Sequence, residues 1–219
     1  MIHRIAVKNV TKIMKKKKVL DHVNAVFESG NIYGIYGRNG CGKTMLLRAM
    51  CGLIYPTEGE IIYDDKILHK DMDFPENIGI IIEHAELLPQ YDAYTNLKLL
   101  ADIRGEIGRS EIREVLKRVE LDPDDKKREG EFSLGMKQKL AIAQAIMEHP
   151  QILLLDEPTN GLDEESVKNI RRLLLEEKER GSIILLASHN KEDLFVLADH
   201  IVKMKNGAVE FVIEGRERC

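Results

Sequence analysis

Paired cysteines are missing from this chain of 219 residues, which has three cysteines and no tryptophan. Cys41, Cys51 and Cys219 are odd in number and follow no metal-ligand or disulfide spacing. This cysteine usage argues against a disulfide-stapled protein and suits a reducing compartment.

An excess of positive charge and long apolar runs are also missing. The net charge is −4, with acids and bases mixed throughout, so the overall charge gives no reason to expect a nucleic-acid partner. No apolar run approaches the ~18 residues of a membrane span, and residues 1–7 lack the apolar core of a signal peptide. We therefore expect a cytoplasmic protein, and any role at a membrane would come through a partner.

One basic block, Lys15–Lys18, lies between two apolar stretches. We interpret it as the solvent-exposed tip of a hairpin. A surface for lipid headgroups or for phosphate backbone is the alternative.

The 43% hydrophobic content supports a substantial core, and apolar patterning divides the chain into a β-rich start, a helical middle and an alternating end. Residues 2–36 predict short strands joined by turns. Residues 84–149 show helical periodicity with almost no strand signal. The later predicted strands are 60–63, 66–68, 77–82, 151–155, 182–187, 201–204 and 208–213, and the predicted helices are 45–50, 94–103, 111–119, 136–147 and 164–180.

Residues 37–44 carry the strongest chemical signal, a complete G-x-x-x-x-G-K-[ST] phosphate loop between a strand-like and a helix-forming segment. Its glycines let the backbone turn sharply, so that successive N–H groups point at phosphate oxygens. Lys43 would neutralise the β- and γ-phosphates, and the Thr44 hydroxyl would bind Mg²⁺. The predicted nucleotide-binding residues of the loop are Gly37, Arg38, Asn39, Gly40, Cys41, Gly42, Lys43 and Thr44.

Cys41 has two interpretations inside this loop. Helix N–H groups and Lys43 could lower the pKa of its thiol and make it oxidisable. The simpler interpretation, which we favour, is a small side chain that fills space.

Two acids, Asp156 and Glu157, end an apolar strand at what would be the ligand edge of a parallel sheet. Adjacent strand residues point to opposite sides, so the two carboxylates cannot share one role. Asp156 suits the magnesium side of a nucleotide, and Glu157 suits a general base that positions the attacking water. Two solvated acids at a strand end are the alternative.

His189 follows the next apolar strand, where an imidazole could hydrogen-bond a γ-phosphate and respond to its loss. A lone histidine is more often structural, so its predicted catalytic role depends on the motifs around it.

These motifs together resemble the ATP-binding cassette (ABC) ATPases, the nucleotide-binding subunits of ABC transporters, over essentially the whole chain. The resemblance adds a signature-like segment, Phe132–Met136, and a D-loop, 160–163. It implies an ATP sandwich of two subunits, in which each subunit supplies its signature segment to the nucleotide of the other. It therefore implies nucleotide-binding roles for Ser133, Gly135 and Asp163, with ATP and Mg²⁺ as cofactors. A plain helix cap is the simpler role for Ser133.

The chain departs from the common family pattern in three places, and two of them, the signature and Glu83, resemble the branch associated with bacitracin resistance and lantibiotic self-protection. Leu134 and Met136 replace a glycine and a glutamine of the signature. Glu83 stands where the family has a glutamine, and we expect it to add a magnesium-side carboxylate, although it could be a solvated acid. Met14 falls where an aromatic residue commonly stacks on adenine; it could cover the base by dispersion or be an ordinary hairpin side chain.

We therefore predict an α/β P-loop NTPase with a mixed sheet, an N-terminal antiparallel β region and an inserted α-helical subdomain. Residues 1–83 and 150–219 would form the RecA-like nucleotide-binding core, and 84–149 the helical signature subdomain. The expected partners are a second ABC ATPase subunit, in a homodimer or heterodimer, and a transmembrane permease contacted through the helical insert and residues 83–92. The protein would lie at the inner face of the cell membrane and power export of, or immunity to, antimicrobial peptides or drugs. The alternatives are an ABC ATPase without a membrane partner and a nucleotide-dependent binding module that does not hydrolyse ATP.

Overall fold

The computed structural model describes residues 2–83, 87–189 and 191–214, with backbone alone for residues 191 and 211–214. Cys219 and residues 84–86, part of the predicted permease-contact segment, lie outside the described residues. The strands are β1 (Arg4–Met14), β2 (Lys17–Glu28), β3 (Ile32–Tyr36), β4 (Glu58–Tyr63), β5 (Lys66–Ile67), β6 (Ile78–Ile81), β7 (Ile152–Asp156), β8 (Ile183–Ala187), β9 (His200–Lys205) and β10 (Ala208–Glu214). The helices are α1 (Lys43–Met50), α2 (Ala93–Arg104), α3 (Arg109–Arg118), α4 (Leu134–Ile146), α5 (Glu164–Glu179) and α6 (Lys191–Leu197), with a 3₁₀ turn at Glu129–Glu131.

The larger sheet has the strand order β10-β9-β3-β8-β7-β6. Its strands pair in parallel except for β10, which is antiparallel to β9, so the predicted mixed sheet is confirmed. Side chains of β7 alternate between two buried clusters: Leu153 and Leu155 face one, Ile152 and Leu154 the other. Residues that follow β3, β7 and β8 meet at one edge of the sheet, because the carboxyl ends of parallel strands lie together.

The smaller sheet is antiparallel, with the order β2-β1-β4-β5. The prediction of short strands in residues 2–36 is wrong for β1 and β2, which have 11 and 12 residues. Asn9 and His22 adopt left-handed backbone conformations, with φ of 51° and 49°, near irregularities in the β1–β2 pairing. Such bulges interrupt strict alternation within one long strand, and the sequence pattern then suggests several short ones.

The basic block lies at the turn between β1 and β2. Lys15 and Lys16 have φ values of 47° and 66°, as a tight two-residue hairpin turn requires. All four lysines are exposed, which confirms the interpretation as a solvent-exposed hairpin tip.

The helices α2, α3 and α4 occupy most of the stretch predicted to be helical. Leu97, Leu116 and Leu140 are fully buried, one on each helix, in the cluster that also contains Leu153 and Leu155. The helical stretch thus shares a core with one face of the large sheet. Its status as a separate subdomain stays a prediction. The short helix α6 was not predicted.

None of the helices in the described ranges combines the length and apolar character that a membrane crossing needs.

Candidate active site

The phosphate loop joins β3 to α1, as predicted, and its glycines meet specific steric demands. Gly42 precedes α1 with φ 112°, and a Cβ added there would lie 2.8 Å from the carbonyl oxygen of Val19. Because Gly42 also supplies no side-chain oxygen to cap the helix, the first-turn N–H groups of α1 are left for an anion. The loop therefore has the form of a phosphate cradle.

Lys43 is held inside this cradle with 7% of its surface exposed. Its Nζ donates to the carbonyl oxygen of Gly37, 2.9 Å away, at the other end of the loop. Cys41 is also buried and belongs to the cluster around α1, which favours the space-filling interpretation of its thiol.

Two cavities flank the loop. The first, of about 510 Å³, is lined by Lys17, Val19, Asn39, Gly40, Gly42, Lys43, Thr44, Met45, Asp156 and Glu157. The second, of about 590 Å³, is lined by Tyr36, Gly37, Arg38, Asn39, Gly40, Cys41, Lys203, Met204, Lys205 and Asn206. The structure thus brings Thr44, Asp156 and Glu157 together with the loop in the first cavity, although they are far apart in sequence.

Thr44 and Asp156 form the pair that suits magnesium. Thr44 Oγ1 donates to Asp156 Oδ2 at 2.5 Å, so two hard oxygen ligands sit side by side. Burial raises the pKa of the Asp156 carboxyl, against the hydrogen bond from Thr44, and the charges of Glu157 and Glu83 raise it further. A divalent cation would relieve this clustering of negative charge. Magnesium characteristically takes one or two protein carboxylates and completes its shell with phosphate and water, so this donor set fits it.

Glu157 lies just after β7, lines the same cavity as Asp156, and is held by the segment after β8. Its backbone is left-handed, with φ 51°. Its Oε1 accepts the His189 N–H at 2.9 Å, while its Oε2 lies 2.8 Å from His189 Nδ1 and 3.3 Å from Ser188 Oγ. The predicted base and the predicted phosphate-sensing histidine are therefore direct partners.

A buried polar contact that the sequence did not reveal anchors the loop after Glu157. Asp193, 1% exposed on α6, accepts a hydrogen bond from Thr159 Oγ1 at 2.5 Å and pairs with Arg171 Nη2 at 2.6 Å. α6 follows His189 in sequence, so this contact ties the His189 segment to the Glu157 segment. Asp193 lies on the unpredicted helix α6, and no local motif marks it.

Glu83, the third predicted magnesium-side residue, is paired elsewhere. Its Oε2 lies 2.7 Å from Nη2 of Arg48 on α1, in a partly exposed ion pair. Its charge is still close enough to raise the pKa of Asp156. Its role as a magnesium ligand stays a prediction.

The signature-like segment forms the start of α4, outside the lining of both cavities. Ser133 Oγ accepts the Met136 N–H at 3.2 Å, so the simple capping role holds in this structure. Leu134 covers Gly161, where an added Cβ would be 2.6 Å from Leu134 Cδ2, and Gln138 Nε2 donates to the Pro158 carbonyl oxygen at 2.8 Å. The start of α4 is thereby joined to the loop that follows Glu157.

Gly135 and Asp163 belong to the same junction. A Cβ on Gly135 would lie 3.2 Å from the Gly161 carbonyl oxygen. Asp163 caps α5 by accepting the Ser166 N–H at 2.8 Å, and this bond together with that from the Ser166 hydroxyl lowers the pKa of its carboxyl. The structure thus separates Ser133, Gly135 and Asp163 from the phosphate loop and gathers them at a second place.

Met14 lies at the end of β1, 40% exposed and paired with Lys17 across the hairpin. Lys17 and Val19, rather than Met14, line the first cavity, and sequence reasoning missed both. The only signal for Lys17 was its place in the basic block.

Comparison with known proteins identifies the family. A family model described as ABC transporter matches residues 20–160. The uncharacterized ABC transporter ATP-binding protein YybJ of Bacillus subtilis is 52% identical over 94% of both chains. The bacitracin transport ATP-binding protein BcrA of Bacillus licheniformis is 41% identical over 88% of this chain, although the match spans only 64% of BcrA. The lantibiotic transport ATP-binding protein SrtF of Streptococcus pyogenes is 34% identical over 94% of this chain and 88% of its own.

Solved structures agree with this likeness. A dimeric bacterial ABC transporter cassette, MJ0796, superposes with a TM-score of 0.87 at 28% identity, over 97% of this chain and 99% of its own. A dimeric post-hydrolysis state of the same cassette, bound to ADP and phosphate, superposes with a TM-score of 0.86 at 27% identity, with the same coverage. Because the family model spans well over half of the chain and YybJ matches along almost its full length, the chain belongs to the ABC transporter family, as an ATP-binding subunit that hydrolyses ATP.

Proposed function

We propose that this ATPase subunit works in a pair and drives a separate transmembrane permease that exports, or confers immunity to, antimicrobial peptides. The names of BcrA and SrtF, bacitracin and lantibiotic transport proteins, support this substrate class. The permease contact would involve the helical stretch and residues 83–92, of which 84–86 lie outside the described residues. Such a contact would place the protein at the cytoplasmic face of the membrane.

The residues at the carboxyl edge of the large sheet have separate tasks in this proposal. The phosphate loop and Lys43 bind the β- and γ-phosphates of ATP, and Thr44 and Asp156 hold the magnesium ion. When bound, magnesium neutralises charge that develops on the phosphates. Glu157 orients the attacking water and accepts its proton, and His189 hydrogen-bonds the γ-phosphate. Met14, whose hairpin partner Lys17 lines the first cavity, covers the base.

One observation carries the proposal of a pair: the start of α4 lies outside the cavity that holds the phosphate loop. Ser133, Gly135 and Asp163 would then act on the nucleotide of a second subunit, with the first turn of α4 directed at its γ-phosphate. Each chain would hold two half-sites, and neither half-site would be complete alone.

Mixing two inactive variants tests this arrangement. Lys43→Ala removes the phosphate-binding charge, and Gly135→Asp places a carboxylate at the start of α4, near the Gly161 carbonyl. Each variant alone should lose ATP turnover. Mixed, they should form dimers with one complete composite site and regain ATP-dependent dimerisation, measured by size exclusion, and phosphate release.

The matched control is a mixture of Lys43→Ala with Lys43→Ala,Gly135→Asp, in which no complete site can form. If the wild type turns over ATP while the mixture is as inactive as this control, sites shared between chains are ruled out. The result would then favour a complete site within one chain.

The permease proposal has its own test. The chain, expressed with candidate multi-span membrane proteins encoded beside it, should co-purify with one of them in detergent, and ATPase activity should change in the complex. A cassette that hydrolyses ATP but binds no such protein would favour the alternative of an ABC ATPase without a membrane partner.

A further inference from the structure

The ion pair between Arg48 and Glu83 joins two elements that both reach the nucleotide site. Glu83 follows β6 at the carboxyl edge of the large sheet, and Arg48 lies on α1, four residues after Thr44. Residues four apart on a helix share one face, so Thr44 and Arg48 project on the same side of α1, one turn apart. Thr44 meets Asp156 and Arg48 meets Glu83, so one helix face serves both carboxylates.

The charges around the magnesium pair explain why this contact matters. Asp156, Glu157 and Glu83 bring three carboxylates to this edge, and Lys43 and Lys17 are the two lysines that line the same cavity. A glutamine at position 83 would leave two carboxylates. Arg48 supplies one positive charge 2.7 Å from the extra carboxylate, which restores the balance that a glutamine would give.

We infer that Arg48 is the counterion of Glu83, and that the two act as a matched pair: Glu83 ties the end of β6 to α1 as a positioning residue and is not a ligand of the magnesium ion. This inference rests on the proposed function, since it concerns how the subunit binds magnesium with ATP. The signature and phosphate-loop motifs assign no role to Glu83, and this inference supplies one.

Substitution of Arg48 or Glu83 should change the affinity for magnesium more than it changes the free energy of unfolding. Both side chains are partly exposed, 31% for Arg48 and 55% for Glu83, and exposed ion pairs stabilise proteins little. Removal of either partner nevertheless leaves the charge of the other uncompensated. That charge changes the affinity for a divalent ion at Thr44 and Asp156, because electrostatic interactions act over longer distances than a direct contact does.

The test is a Mn²⁺ titration, followed by electron paramagnetic resonance, of the full chain with a non-hydrolysable ATP analogue. Arg48→Gln leaves Glu83 uncompensated and should tighten Mn²⁺ binding by about three- to tenfold, while Glu83→Gln should weaken it by a similar factor. Arg48→Lys keeps the charge and should stay near the wild type. The double variant Arg48→Gln,Glu83→Gln should return to wild-type affinity, because both charges leave together.

A metal-ligand role for Glu83 gives a different pattern. The double variant would then remain as weak as Glu83→Gln, since the lost oxygen ligand is not replaced, and that result would overturn the inference. Unchanged affinity in all variants would also overturn it. A wild type that binds no nucleotide would instead refute the proposed function, so the two failures are distinguishable.

Hydrogen exchange supplies a second readout and a matched control. The amides of residues 78–83 should exchange faster in both single variants, because each loses the tie to α1; unchanged exchange would contradict the positioning role. Arg113→Gln breaks a comparable ion pair to Asp124 on the helical stretch, with 28% and 68% of the side chains exposed. This control should change neither Mn²⁺ affinity nor exchange at 78–83.

Discussion

The starts of α1 and α4, both of which we propose to bind phosphate, are constructed in opposite ways. α1 begins at Gly42, without a side-chain cap, beside a cavity and with a buried lysine in its first turn. α4 begins at Ser133, whose hydroxyl caps the helix, and the next residue, Leu134, is 62% exposed. The N–H groups at the start of α1 are therefore free for a phosphate bound by the same chain. The start of α4 is already capped and stable without the nucleotide of a second subunit.

This difference shows how stability and function are divided in the subunit. At α1 the uncapped N–H groups and crowded carboxylates cost stability that a ligand restores. At α4 the proposed binding residue Ser133 and its neighbour Leu134 also make local contacts that support the fold. Substitutions at the two starts should therefore affect stability with opposite signs.

The largest expected effect is on the α1 side, where Glu157→Gln removes the proposed base. Turnover should fall by about 100-fold or more, because a positioned general base typically contributes at least that factor. An ATP-bound dimer should accumulate, since the nucleotide is bound but not consumed. Phosphate release and size exclusion measure the two effects. Glu165→Gln, an exposed acid in the first turn of α5, is the control, and equal turnover in both variants would exclude Glu157 as base.

The next effect tests the junction at α4. Gly161→Ala should lower the free energy of unfolding by about 2 kcal/mol, because Gly161 has φ +79° and its new Cβ would meet Leu134. Gly105→Ala, with φ +68° and open space around it, isolates the backbone cost. In a Leu134→Gly background, Gly161→Ala should lose only as much free energy of unfolding as Gly105→Ala loses, because the clash with Leu134 is gone. Denaturant unfolding measures these losses. Identical losses at Gly161 and Gly105 would mean that Leu134 does not restrain the loop.

A smaller loss is expected from Ser133→Ala, which removes the cap of α4. The free energy of unfolding should drop by about 1 kcal/mol, as for other capping serines. Ser133→Thr keeps the hydroxyl and should retain most of the stability. If Ser133→Ala unfolded at the same denaturant concentration as the wild type, the proposed contrast between the two helix starts would fail.

The smallest effect has the opposite sign. Burial raises the pKa of Asp156, so the folded chain binds this proton more tightly than the unfolded one, and stability falls as pH rises through the folded pKa. Without magnesium, Asp156→Asn should therefore be more stable than the wild type at pH 7, by about 0.5–1 kcal/mol. The gain should shrink as pH is lowered towards 4 and reverse when magnesium and ATP are added. Unfolding at several pH values would show a constant difference if the charge of Asp156 were irrelevant.

Motifs read from the sequence located most of this site, because its chemistry is written in local patterns. The phosphate loop, Asp156, Glu157 and His189 all follow predicted strands, and the rule that carboxyl ends of parallel strands meet predicted that they converge. In the structure Thr44 contacts Asp156 and His189 contacts Glu157, so these residues do converge, and their roles stay predictions. The helices were predicted to within two residues at most ends, since their apolar periodicity is regular.

Contacts between distant residues were beyond the reach of such patterns. Nothing near Glu83 in sequence indicates Arg48, and nothing near Thr159 indicates Asp193 on the unpredicted helix α6. The two long strands β1 and β2 were missed because residues with positive φ at their bulges disrupt the alternation on which strand prediction depends. Pairings of this kind are set by tertiary packing, which local propensity does not encode.

His189 and Ser188 both contact the Glu157 carboxylate, and these contacts bear on how much ATP unpaired subunits hydrolyse in the cell. In the proposed mechanism, a Glu157 carboxylate that accepts these contacts has fewer acceptor sites free to orient a water molecule, so we expect a lone subunit to hydrolyse ATP slowly. We expect faster hydrolysis once His189 hydrogen-bonds a γ-phosphate and no longer contacts Glu157. A transporter subunit made in excess of its partners would, on this basis, leave the ATP pool almost untouched.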